Sequence, residues 1–261
     1  MARHLFLDER YPLRMDHTNP LLKPESLRRL AWSVFYLDLV HDDRPARSVD
    51  EPRISLPCDE TCFLRGLDVK ANDPINSSDI LNVTDLRHNE CPNHTHFGLS
   101  AHLIRTAAMR YRILHYNSLA GYSPMTTTTQ TLADLDDLDR SATELIKDLP
   151  PHLVHSEDNL YIHTLRRTSF LLLHMLRHSC FMILAKGRLN VCAREVELAG
   201  AATQLMRSRV RHAVAVSWIS GDGLQLGVNH DPFVAVLAYE ALEGEQNGLP
   251  TTLMAPGSSA L

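Results

Sequence analysis

Phe170-Leu-Leu-Leu-His-Met-Leu176 is apolar on almost every side of a helical wheel, and it sits inside a longer helix-compatible run over residues 160 to about 189. A helix without a polar face is one covered by neighbours on most sides, so this stretch predicts the central helix of a helical domain. Working towards the N-terminus, Ser156-Glu-Asp-Asn159 offers a capping hydroxyl followed by acidic residues, a helix start. Pro150-Pro151 stops an earlier helix marked by Leu132, Leu135, Leu138, Ile146 and Leu149. The Thr126 to Thr129 run reads as a polar bridge before that helix. Another helix is marked by Phe97, Ala101, Ile104, Ala108, Tyr111 and His115 and ends near Asn117 and Gly121. Towards the C-terminus, residues 193–220 read as a long helix ended by Gly221-Asp-Gly223. Asp231-Pro232 then caps and opens a last helix to about Leu242.

Pro24 opens the first helix, whose Leu27, Leu30, Ala31, Val34, Leu37 and Val40 recur at three- and four-residue steps. Residues 41–95 lose that periodicity and carry prolines at 45, 52, 57, 74 and 92, which predicts an irregular, partly mobile segment. Within it, Ile54-Ser-Leu-Pro57 is a short apolar clip able to lie along the first helix. No strand alternation persists and no repeat period occurs, so the expected fold is all-α. It is a single domain of about six helices over residues 24–243, with a remnant of a preceding helix or linker at 1–23 and a flexible tail at 244–261.

The 261 residues are 44% hydrophobic and 22% charged, which excludes a disordered polymer. Acidic residues exceed basic ones by 31 to 26, and the basic ones are dispersed, so no electrostatic footprint for nucleic acid or an anionic membrane is present. Five cysteines, an odd number, argue against a disulfide framework and for a reducing compartment. The start has no signal-peptide pattern, and no uninterrupted apolar run approaches the ~20 residues of a membrane span. The expectation is a soluble intracellular protein, in which the sequons at Asn76, Asn82 and Asn93 are chance.

Cys58, Cys62, Cys91, His94 and His96 form the densest set of zinc-compatible side chains, and four of the five are enough for a tetrahedral site. Their spacing matches no standard knuckle, so they read first as buried or loop residues without metal. His174 and His178 share a helix face but lack the glutamate and third ligand of a zinc hydrolase, and read as packed interior groups. Asp134, Asp136, Asp137 and Asp139 read as a solvated face. Arg207, Arg209 and Arg211, beside His212, alternate around a helix and make no phosphate-binding stripe. Nucleophile elbows and phosphate loops are absent from the sequence.

Arg28-Arg-Leu-Ala-Trp-Ser-Val-Phe-Tyr-Leu-Asp38, followed by Ile54-Ser-Leu-Pro57, resembles the signature of the fungal-specific transcription factor domain, the middle homology region of fungal zinc-cluster regulators. Phe97-Gly-Leu-Ser-Ala-His-Leu-Ile-Arg105 looks like the next family helix. Leu149-Pro-Pro-His-Leu153, Asn159-Leu-Tyr-Ile-His163 and Phe170-Leu-Leu-Leu-His-Met-Leu-Arg-His-Ser-Cys180 look like the later one, with its Leu-His and Cys pattern. The signature residues are Arg28, Arg29, Trp32, Leu37, Asp38, Pro57, His174 and Cys180, to which physical chemistry gives structural tasks: a core anchor, ion pairing and a fixed turn.

The resemblance implies a nuclear, non-enzymatic regulatory domain that acts on RNA polymerase II transcription through the transcription machinery or related factors, and that responds to an effector. It implies no cofactor in this chain. The family's zinc belongs to a DNA-binding cluster of six cysteines for which this sequence has no matching positions, so DNA is contacted only through a region absent here. The competing readings are a helical metal- or ligand-binding enzyme built on Cys58, Cys62, Cys91, His94 and His96, and a helical interaction scaffold.

Overall fold

The computed structural model describes residues 22–41, 56–58, 60, 63, 98–120, 127–194, 199–228 and 232–248. Among these, the secondary structure is seven α-helices and two 3-10 turns, with no strand: the fold is all-α. The helices are α1 (Leu22–His41), α2 (Leu99–Ala120), α3 (Thr128–Lys147), α4 (Glu157–Ile162), α5 (Arg167–Cys192), α6 (Ala199–Gln225) and α7 (Pro232–Gly248).

α5 is the axis of the fold, packed against α2, α3, α6 and α7. Phe170, Leu171, Leu172, Leu173, Met175 and Leu176 are all at most 2% exposed, as a helix apolar all round requires. The largest core cluster joins Trp32, Phe35 and Leu39 of α1, Ala101, Ile104, Ala108 and Tyr111 of α2, and Leu172 and Met175 of α5 to Val216 and Ile219 of α6 and Leu237 of α7. A second cluster seats Leu135, Leu138, Ala142 and Leu145 of α3 against Ile113, Ile183 and Leu184. The stretch Thr164–Cys192 is long and apolar enough to cross a membrane by length and composition, but 72% of its most apolar window is buried against the other helices.

Several expected boundaries move, each for a local reason. The continuous helix expected from residue 160 is broken: α4 ends at Ile162, a 3-10 turn covers Thr164–Arg166, and α5 starts at Arg167. Tertiary anchors redirect the chain there, since the His163 ring bonds the His152 carbonyl at 2.9 Å and Arg166 reaches Glu60 at 3.2 Å. Gly221-Asp-Gly223 does not stop α6, which continues to Gln225. The stop is Gly227, at φ +62, where Val228 N–H donates to the Gly223 carbonyl and Gly227 N–H to that of Leu224, closing a Schellman motif. Thr126–Thr129 is not a bridge throughout: Thr127 caps α3 by accepting from Gln130 N–H, and Thr128 is already helical. The last helix starts at Pro232 as expected and passes 244, where the tail was expected to begin, to Gly248.

The face expected for α1 is also rotated. Leu30, Val34 and Leu37 are about half exposed, while Ala31, Trp32, Phe35, Leu39 and Val40 are buried. The aromatic pair Trp32 and Phe35, edge to face with ring centroids 5.3 Å apart, has the two largest side chains on the buried side of α1, which turns that side inward. The expected remnant at 1–23, the irregular stretch at 41–95 and the rest of the tail fall largely or wholly outside the described residues.

Candidate functional site

Two polar constellations stand out from this apolar framework. The first joins the N-terminal half of α1 to the clip. Glu25, 6% exposed, accepts from both Arg28 and Arg29, three and four residues on, so one carboxylate orders two guanidinium groups on the same helix face. Glu25 Oε1 also accepts from the Cys58 backbone N–H at 3.0 Å, while Arg29 Nη2 donates to the Cys58 carbonyl at 2.6 Å. The clip residues Leu56 and Pro57 are buried beside it. Arg29 also lies over the Phe63 ring, 4.5 Å from its centroid, and 3.7 Å from Glu60. Glu60 accepts from Leu99 N–H and Ser100 N–H at 3.1 Å each and so caps α2 from 39 residues away.

The signature residues divide around this junction. Arg28, Arg29 and Pro57 belong to it, and Trp32 is completely buried one turn further along α1. Asp38 is half-buried and Leu37 is 47% exposed, so Leu37 is no core anchor. His174 and Cys180 lie in the interior on α5, away from the clip.

Of the zinc-compatible set, only Cys58 falls among the described residues, and Cys62, Cys91, His94 and His96 lie outside them. Among the described residues no group of three or more His, Cys, Asp or Glu is placed to hold a metal. The Cys58 backbone is engaged by Glu25 and Arg29, and burial with the nearby Glu25 charge pushes its thiol up to about 11. Cys180 is fully enclosed and its thiol is pushed up to about 12, chiefly by burial.

The second constellation is a column of imidazoles along α5. His174 is 1% exposed, and its ring lies 4.8 Å from that of Phe170 and 5.1 Å from that of His155. His163 stacks on Phe170, also at 4.8 Å. One turn on, His178 Nδ1 meets His212 Nδ1 of α6 at 2.9 Å, a contact in which one ring must donate and the other accept. Burial is the first cause that disfavours the charged form throughout. His102 is lowered to about 3 and His178 to about 4, while His155, His174 and His212 also fall below the ordinary histidine value. Arg177 adds repulsion towards His102, His155, His174 and His178.

A third polar group is structural. Arg110 of α2 donates from Nε to Ser179 Oγ at 2.9 Å and from Nη2 to Glu240 at 2.6 Å, and Ser179 donates to Glu240 at 3.0 Å, which ties α2, α5 and α7 together inside the core. Nothing in local sequence announces a contact across 130 residues. Glu25 was not named from the sequence, where Asp38 was the expected partner of Arg28 or Arg29; a first-turn acid three and four residues before two arginines was the signal that could have found it. The His155–His174 contact depends on how the α4 turn folds back and had no sequence signal.

The acidic run on α3 is only in part a solvated face. Asp134 accepts from Tyr116 at 2.9 Å, and Asp136 and Asp139 both pair with Arg188 of α5. Arg207 and Arg211 are exposed and Arg209 is buried, so the basic alternation does split around α6. No known protein-family model, curated protein or solved structure matches this chain.

Proposed function

We propose that this chain is the regulatory, non-DNA-reading domain of a fungal-type transcription factor. It acts in the nucleus on RNA polymerase II transcription, through contacts with the transcription machinery or related factors, and it has no catalytic role. The observation that carries the reading is the clip junction. The Arg-Arg-x-x-Trp helix and the Leu-Pro segment, which the sequence resemblance pairs, are bound to one another through Glu25, Arg29 and the Cys58 backbone, with Trp32 buried beneath. Side chains used to lock a helix to a clip are engaged in holding shape. That supports a domain that presents a surface rather than one that turns over a substrate.

The net charge of −5 agrees with a domain that does not itself hold a polyanion. Tethering the chain to a foreign DNA-binding domain upstream of a reporter is the test: output changes with the wild type and reverts with Arg29→Ala. A reporter unmoved by the wild type returns the chain to the scaffold reading. A sequence-specific shift of DNA by the purified chain alone refutes the non-DNA-reading assignment.

A further inference from the structure

We infer that the first half of α5 and the turn packed on it form a binding site for a small organic carboxylate, centred on Arg177 and flanked by His174 and His155. The inference stands apart from the transcriptional reading, because it rests on unsatisfied donors in the interior. Arg177 Nη1 lies 2.9 Å from His174 Nδ1. A guanidinium only donates, so His174 accepts through Nδ1 and carries its proton on Nε2. Among the described residues Arg177 Nε and His155 Nε2 are buried and have no hydrogen-bond partner, and His174 has only the Leu153 backbone acting on it as an acceptor. Arg177 Nε is an obligate donor, and an acceptor is what it lacks.

Charge points the same way. Burial lowers the pKa of Arg177 to about 10, and among the described residues no carboxylate is a named influence on its charge. Around it stand His102, His155, His174 and His178, with Arg105 and His152 acting on His102. The negative groups are peripheral: Asp222 is 3.9 Å from His155, beyond hydrogen-bond reach, and Asp148 acts on Arg105. Arg177 is half-buried, and a cation in that position gains from an accompanying anion.

The ligand class follows from shape. With Nη1 committed to His174, the remaining edge of the guanidinium, Nε with Nη2, is the planar fork that matches the two oxygens of a carboxylate. The neighbouring Phe170 ring, stacked on His163 and edge-on to His174, adds an apolar surface suited to an organic body.

The test uses the full chain with benzoate, acetate and inorganic phosphate as probes and sodium chloride at matched ionic strength as control. The expected result is saturable movement of the His155 and His174 imidazole resonances and a rise in melting temperature, with benzoate most effective. The affinity rises as pH falls from about 8 to about 6, because a bound anion favours the imidazolium form of His155, while His174 stays neutral as the acceptor of Arg177. Arg177→Met abolishes the response and melts at or above the wild-type temperature without ligand, since an unpaired cation has been removed. Arg177→Lys keeps the response but weakens it about tenfold or more, having lost the fork. His155→Asn, with about a third of the wild-type side chain exposed, folds and weakens benzoate binding, an independent test at a second position.

No saturable movement with any probe, or unchanged benzoate binding in His155→Asn, overturns the site. Arg177→Met melting well below wild type makes Arg177 a structural residue and overturns it too. Phosphate binding more tightly than benzoate overturns the carboxylate assignment.

Discussion

Acidification is the perturbation to which this fold is most exposed. His102 and His178 have values of about 3 and about 4 in the folded protein, against an ordinary histidine value of 6.5. Both are depressed, so the unfolded chain binds protons that the folded one refuses. The stability they contribute is complete above 6.5 and is lost as pH falls towards the folded values. Between about pH 7 and pH 5 each group costs about 2 kcal/mol, and allowing for the partial exposure of His178 the pair costs about 3 kcal/mol.

The depression has named sources. Burial leads for both; Arg105, His152 and Arg177 then act on His102, and His212, Arg177 and His155 on His178. His155, His174 and His212 shift in the same direction and steepen the loss. Against the 5–15 kcal/mol typical of a domain, that is a large fraction. Urea unfolding followed by circular dichroism at fixed pH steps measures it, and His178→Asn flattens the slope. A free energy of unfolding unchanged between pH 7 and pH 5 refutes the assignment of these imidazoles as buried and neutral.

Trp32→Ala removes the largest fully buried side chain of α1 and is expected to lower stability by about 3–5 kcal/mol, read from the urea midpoint. Glu240→Ala leaves Arg110, 4% exposed, without its carboxylate and is expected to cost about 3 kcal/mol or more; pairing it with Arg110→Met recovers most of the loss in a double-mutant cycle. Glu60→Ala strips the first turn of α2 of its cap and releases Arg166, lowering stability by about 1–2 kcal/mol and raising amide exchange at Leu99 and Ser100. Gly187→Ala drives a methyl into the Asn117 side chain, whose Nδ2 donates to the Ile183 carbonyl, and is expected to cost about 1–3 kcal/mol by thermal melting.

What the sequence made legible was what depends on neighbours a turn away. The all-round apolar run at 170–176 does become the buried axis, and Ala101, Ile104, Ala108 and Tyr111 do form the inner face of α2, because helical periodicity is a local consequence of burial. Failures occur where distant groups decide. Counting aliphatic steps put Leu30, Val34 and Leu37 inward, but the two aromatic rings turn α1 so that these residues face outward. Gly221 and Gly223 looked like stops, yet glycine ends a helix only where the backbone takes the left-handed turn, and packing delays that turn to Gly227. The candidate site was legible in the same measure: Arg28, Arg29 and Pro57 could be named, whereas Glu60 and the His155–His174 pair could not.

The two polar constellations meet at the turn between α4 and α5, and this bears on how a signal could cross the domain. Arg166 reaches the Glu60 carboxylate that caps α2 and approaches Arg29, which places the start of α5 at the edge of the clip junction. Three residues before it, His163 is bonded to the His152 carbonyl and stacked on Phe170, which in turn touches His174. An unbroken run of contacts therefore leads from the clip to Arg177 through a turn of only a few residues. An anion at Arg177 would draw His155 towards the charged state, and the contacts of Phe170, His163, Arg166 and Glu60 are the route by which the clip would receive that change. Contiguity alone does not establish coupling. The physical requirement is that a ligand at one end shift an equilibrium at the other, so benzoate must change amide exchange at Cys58, Leu99 and Ser100 in the wild type, and Arg166→Ala must leave benzoate binding intact while abolishing that change.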